Sequence, residues 1–168
     1  MKIAIAGGTG MVGKKLTELL LKHKHAVIIL TRGEPRTENN IHYVQWLKEN
    51  AQPETQLEQL DAFINLAGVS LNEGRWTDEQ KEKIYNSRME STDEAIRILQ
   101  ALAHKPNVLI NASAVGIYPV SETAVYTESS SEQADDFLGS VVADWEQKAA
   151  QAEKLGIRTC FTRFGVIL

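Results

Sequence analysis

Three observations predict an α/β fold built as a doubly wound parallel sheet. Short apolar, β-branched runs alternate with longer helical patterns along the chain. The first apolar run passes through a glycine-rich turn straight into a helix. No internal repeat points to a solenoid or propeller. Strands separated by helices imply βαβ units, and hence a mostly parallel sheet with helices on both faces.

Taken in order, strands are expected at 2–6, 26–31, 41–46, 62–66, 107–112 and 157–162, and helices at about 11–23, 54–60, 77–104 and 137–155. The first strand leads into Gly7-Gly8-Thr9-Gly10-Met11-Val12-Gly13. Glycine permits a tight turn and close backbone approach, and the helix that follows offers unpaired N–H groups and a partial positive charge. Strand, turn and helix in this order suit the pyrophosphate of a dinucleotide. The long helix starts at a capping-box pattern, Thr77-Asp78-Glu79-Gln80, with Thr77 as N-cap and Gln80 reaching back. Ile84, Ile96, Leu99 and Leu102 follow at helical spacing, and Pro106 marks the stop. The last helix carries Trp145 and Ala149 on one side and ends at Leu155-Gly156, a C-terminal glycine signal. Between them, 119–136 is rich in Ser, Thr, Glu and Asp and reads as a mobile surface loop beside a strand end, a common place for function.

A chain of 168 residues, 43% hydrophobic and 24% charged, fits one domain spanning 1–168. Its net charge of −4 argues against nucleic-acid or membrane-surface partners. Cys160 is the only cysteine, which excludes an internal disulfide, and its strand-like setting predicts a buried, inert thiol. The histidines, His23, His25, His42 and His104, show no metal spacing, so no metal is expected. Neither a secretory h-region nor a run of ~18 apolar residues appears, which predicts a cytoplasmic protein. The chain ends on Phe164-Gly165-Val166-Ile167-Leu168 without a polar tail. That ending predicts a fragment of a longer protein, with an apolar scar that favours self-association into a homo-oligomer.

Several strand ends carry candidate chemistry. The second strand ends Thr31-Arg32, where a guanidinium and a hydroxyl suit a ribose 2′-phosphate, so NADP is favoured over NAD; Glu34 lies just beyond. The fourth strand ends Asn65-Leu66-Ala67-Gly68, whose small residues leave room for a nucleotide. The fifth ends Asn111-Ala112-Ser113-Ala114-Val115-Gly116-Ile117-Tyr118, where Ser113 can bond a carbonyl or hydroxyl and Tyr118 can orient substrate. Arg88, on the long helix, is placed to reach cofactor phosphates. Taken singly, Ser113 and Tyr118 are equally read as a loop hydroxyl and a packing aromatic, and Arg88 as a solvated helix arginine. Asp135-Asp136 suits a helix start, and Trp46, Trp76 and Trp145 read as packing residues.

Together, Gly7–Gly13, Asn65–Gly68, Arg75-Trp76, Ser87-Arg88, Ser113–Tyr118 and Asp144-Trp145-Glu146 resemble the extended short-chain dehydrogenase/reductase superfamily. They are most similar to its NAD-dependent epimerase/dehydratase-like branch, whose bacterial members carry nucleoside-diphosphate-sugar epimerase or cell-division-inhibitor labels. The resemblance implies an NAD(P)-binding Rossmann fold whose C-terminal substrate lobe is absent from this chain. It places the dinucleotide on Gly7, Thr9, Gly10, Met11, Val12 and Gly13, the NADP-selecting pair on Thr31 and Arg32, and further contacts on Leu66, Ala67, Gly68 and Arg88. It implies an epimerase or reductase acting on a sugar-nucleotide-like or other hydroxyl or carbonyl substrate, with Ser113 and Tyr118 as catalytic candidates. One departure stands out. The superfamily's Tyr-x-x-x-Lys pair falls on Leu138 and Val142, neither of which transfers a proton, so a non-catalytic NADP-binding sensor or interaction module is the alternative.

Overall fold

The computed structural model describes residues 1–71 and 75–167. The chain forms β1 (Lys2–Ala6), α1 (Met11–Lys22), β2 (Ala26–Thr31), β3 (Arg36–Glu38), β4 (Ile41–Gln45), β5 (Ala62–Asn65), α2 (Asp78–Ala101), β6 (Val108–Ala114), α3 (Phe137–Ala149) and β7 (Arg158–Phe164). One sheet runs in the order β3-β4-β2-β1-β5-β6-β7, and every pairing is parallel except β3 with β4. The chain builds outward from β1 through β2 to β4, then returns to β1's other side with β5. The strand order therefore reverses between β1 and β5, where an open α/β sheet presents a crevice at its carboxyl edge.

Both sheet faces are covered, which is why β1 and β2 read as continuous apolar runs. Ile3, Ile5, Val27 and Ile29 pack with Leu16, Leu20 and Leu21 of α1. Ala4, Ala6, Ile28, Leu30 and Phe63 face the opposite way, against Ile98 and Leu99 of α2 and Ala149 of α3. Two glycines are required by geometry in the first turn. Gly7 adopts φ +77°, and a Cβ there would lie 2.6 Å from the Leu66 carbonyl oxygen. A Cβ on Gly13 would lie 2.3 Å from the carbonyl oxygen of Gly7, so the turn closes on α1 only without one.

Most expected elements form, and the differences have local causes. The helix expected over 54–60 is a single 3-10 turn, Pro53–Gln56. Its apolar positions, Leu57 and Leu60, are buried against the core from irregular backbone instead. The short β3 was missed because its exposed Arg-Thr-Glu carries no apolar pattern; it pairs at the sheet edge with β4. The expected helix over 137–155 stops at Ala149 and tightens into a 3-10 stretch, Ala150–Leu155, before Gly156 turns the chain at φ +76°. Strands β6 and β7 each run two residues further than expected, because Ser113 pairs with Arg163 and Ala114 with Phe164. At α2, Thr77 caps through Oγ1, which accepts from the Gln80 N–H. The Thr77 N–H bonds Arg75 rather than Gln80, so the capping box is only half made.

Beneath the carboxyl edge lies a buried polar network. The Asn65 amide donates to Asn111 Oδ1 at 2.8 Å and to Thr92 Oγ1 at 3.2 Å, while its own oxygen accepts from the Ala67 N–H. Thr92 also accepts from the Trp145 indole at 2.9 Å, and Asn111 donates to the Ala112 carbonyl. Asn65, Thr92 and Asn111 are fully enclosed, so each lost partner leaves an unsatisfied group. Asn65→Ala is expected to lower unfolding stability by about 2–3 kcal/mol, measured by urea denaturation. A loss below ~0.5 kcal/mol would show that the network is dispensable.

Candidate functional site

Two cavities open along the carboxyl edge of the sheet. The outer, of about 650 Å³, is lined by Gly7, Thr9 and Gly10 of the first turn, by Thr31 and Arg32 at the end of β2, and by Trp46 and Leu47 after β4. The inner, of about 460 Å³, lies over β6 and α3. Both are bordered by Leu66, Ala67, Gly68, Val69 and Ser70, so together they form one long cleft across the reversal between β1 and β5.

At the outer end, the Gly10 N–H closes the turn on the Gly7 carbonyl at 3.0 Å. The first helical bond runs from the Lys14 N–H to Gly10, so the N–H groups of Met11, Val12 and Gly13 precede it at the helix end. That arrangement receives an anion. Met11 is an exposed residue outside both cavities, Val12 lines the inner one, and Gly13 packs the helix onto the turn. Thr31 Oγ1 accepts from the Gly33 N–H at 3.1 Å, which leaves its hydroxyl proton free to donate. Arg32 is exposed, and among the described residues no carboxylate pairs with it. Glu34 lies outside the lining. Trp46 and Leu47 were not expected here. Leu47 takes a left-handed conformation, φ +50°, which is strained for a side-chain-bearing residue and clusters at binding sites.

The shared border is held by side chains of α2. Ser87 Oγ accepts from the Val69 N–H at 3.0 Å, Ser91 donates to the Ala67 carbonyl, and Arg88 donates to the Val69 and Ile84 carbonyls at 3.2 and 3.0 Å. Arg88 was expected to reach cofactor phosphates. Its guanidinium lies 5.1 Å from the Trp145 ring, beneath Gly68, and lines the inner cavity only. Burial pulls its pKa below the usual arginine value.

At the inner end, Ser113 is buried, lines the cavity and donates its hydroxyl to Glu146 Oε1. Arg163 donates to the same carboxylate through Nε and Nη2, both at 2.8 Å. It also reaches Tyr118 through Nη1. Tyr118 donates to the Thr127 carbonyl and stacks on Tyr126, with ring centroids 4.9 Å apart. Its hydroxyl is thus turned toward the 119–136 loop, and Tyr118 is absent from the cavity lining. Leu138 and Val142 do face the inner cavity, alongside Val141 and Trp145. Glu146 and Arg163 escaped the sequence reading of roles. The signal was there: Glu146 follows Val142 by four residues on α3's inward face, and Arg163 puts a charge inside a strand.

Burial pushes the Glu146 carboxyl up, but its bonds to Arg163 and Ser113 outweigh that and hold it below the ordinary 4.5. A folded value below the unfolded one contributes stability above the unfolded value, and that contribution is lost as pH falls through the folded one. The urea midpoint of the parent is therefore expected to drop more steeply below pH 4.5 than that of Glu146→Gln. Parallel pH profiles for the two proteins would contradict this.

The profile of the NAD dependent epimerase/dehydratase family matches residues 3–166. Epimerase family protein YfhF of Bacillus subtilis is 46% identical over 169 residues, covering 100% of this chain and 55% of the relative. This chain thus spans about half the length of the curated relatives it matches. Among solved structures, the human epimerase family protein SDR39U1 with NADPH superposes with a TM-score of 0.82 at 28% identity, over 100% of this chain and 55% of that one. The nucleoside-diphosphate sugar epimerase of Corynebacterium glutamicum superposes at 0.79 with 33% identity, over 100% and 34%. Among the described residues, no helix is long and apolar enough to cross a membrane.

Proposed function

The chain belongs to the NAD dependent epimerase/dehydratase family, and from that premise we propose that its cleft binds NADP as the nucleotide-binding part of a longer epimerase or reductase. The single observation that carries this reading is the continuous cleft, with the glycine turn that leads into α1 in one cavity and a buried serine in the other. The fit is physical: a Cβ at Gly7 or Gly13 would close the turn that the pyrophosphate approaches. Gly7, Thr9 and Gly10, with the first N–H groups of α1, hold the phosphates. The Thr31 hydroxyl and the exposed Arg32 guanidinium bind a ribose 2′-phosphate, which favours NADP over NAD. The NADPH bound by the human relative supports the same choice. Leu66, Ala67 and Gly68 floor the cleft between the two ends, and Arg88 braces that floor. When bound, the nicotinamide supplies hydride chemistry. Ser113 lines the end of the cleft that takes a hydroxyl- or carbonyl-class substrate, of the sugar-nucleotide-like kind suggested by the Corynebacterium relative.

A second reading, a non-catalytic NADP-binding module, is favoured by one observation. Leu138 and Val142 line the inner cavity at the positions where the superfamily's Tyr and Lys would stand.

NADPH fluorescence titration tests the cofactor assignment. The parent is expected to bind NADPH saturably and more tightly than NADH. Arg32→Ala should weaken NADPH by about tenfold to a hundredfold while leaving NADH unchanged. Equal affinity of the parent for both cofactors would overturn the NADP assignment.

A further inference from the structure

We infer that the Glu146–Arg163 pair locks Ser113 as a hydrogen-bond acceptor, so the inner cavity selects an alcohol over a ketone. The inference rests on the reading that this cavity takes the substrate end of the cleft. It follows the direction of each hydrogen bond. Arg163 has only donors, and two of them grip the Glu146 carboxylate. An ionised carboxylate only accepts, so the bond between Ser113 and Glu146 is made with the serine's single proton. What Ser113 Oγ has left for a ligand is its lone pairs. The chain of bonds is anchored outside the cavity too: Arg163 donates to Tyr118, which donates onward to the Thr127 carbonyl. Reversing Ser113 would leave Glu146 with a lone pair facing a lone pair in a buried setting, which low dielectric makes costly.

Arg88 and Ser70 also line the cavity, and the selection argued here is the one made at Ser113 itself. Arg88 is a pure donor whose Nη1 is held by the Val69 carbonyl of the loop and the Ile84 carbonyl of α2. The remaining wall near Ser113 is apolar, formed by Leu138, Val141, Val142 and Phe164. A ligand hydroxyl reaching Ser113 therefore finds an acceptor, whereas a carbonyl oxygen there finds only another acceptor. Glu146 and Arg163 are positioning residues that set the polarity of Ser113 without touching the ligand.

Cyclohexanol and cyclohexanone test this on the chain without cofactor, so the outcome is independent of the NADPH titration. The probes share a ring and differ in whether the oxygen carries a proton. Binding is followed by amide shifts at Ala112, Ser113 and Gly116 in ¹H–¹⁵N spectra. The parent is expected to bind the alcohol about fivefold to tenfold more tightly. Ser113→Ala should remove that advantage by weakening the alcohol alone. Glu146→Met, which frees the serine proton to turn into the cavity, should strengthen the ketone by about threefold to tenfold. Ser113→Ala keeps the Glu146–Arg163 pair, so the test stands even if Glu146→Met fails to fold. Loss of ketone affinity in Ser113→Ala would show that the serine donates and overturn the inference, as would no saturable alcohol binding by the parent. Free nicotinamide forms a further arm, because its carboxamide N–H is the other donor this cavity meets. If Ser113→Ala weakens nicotinamide but spares cyclohexanol, the acceptor serves the cofactor and the substrate assignment falls.

Discussion

The buried amide contact between Asn65 and Asn111 is the constraint on which the cleft depends. It joins the end of β5 to the middle of β6, the two strands that flank the inner half of the site. Through Thr92 the same cluster reaches α2, and through the Trp145 indole it reaches α3. A polar cluster inside an apolar core is tolerated only when nearly every donor and acceptor is paired. That requirement ties four elements to one relative placement. It also aims the cleft floor, because the Ala67 N–H is one of the paired groups.

The floor follows the same logic one layer up. The loop after β5 cannot be part of the sheet ladder, so its backbone groups need other partners. Helix α2 provides them from Ser87, Arg88 and Ser91, three polar residues on its inward side. This explains why the first half of α2 is less apolar inside than its second half, where Ile98 and Leu99 meet the core. It also explains where Arg88 lies. Its stem and guanidinium fill the space that Gly68 leaves, against the face of Trp145.

The two ends of the cleft differ in how far they can be read from the chain. The turn from Gly7 to Gly13 is a local event, in which strand, glycines and helix are adjacent in sequence and the geometry follows from residue type. Thr31 and Arg32 were legible for the same reason, as the residues at the end of one strand. The inner end is assembled from β6, α3 and β7, so its contacts join residues far apart in the chain. Ser113 was visible as a strand-end hydroxyl, but its partner Glu146 lies 33 positions away and Arg163 a further 17. Tyr118 was drawn toward the cleft by its proximity in sequence. The turn after β6 directs it to Arg163 and Thr127 instead. Leu47 left no trace in the sequence, since a strained backbone conformation at leucine has no compositional signature.

The sequence by itself determined the alternation of strands and helices, the parallel sheet, the glycine turn and the basic strand end beside it. These depend on hydrophobic period, on steric freedom at glycine and on residues that are neighbours along the chain. Only the tertiary structure decided that the two cavities form one cleft, that Arg88 braces its floor, and that Ser113 spends its proton on Glu146. Those outcomes depend on which buried donors meet which acceptors, and such pairings exist only once distant strands and helices are packed together.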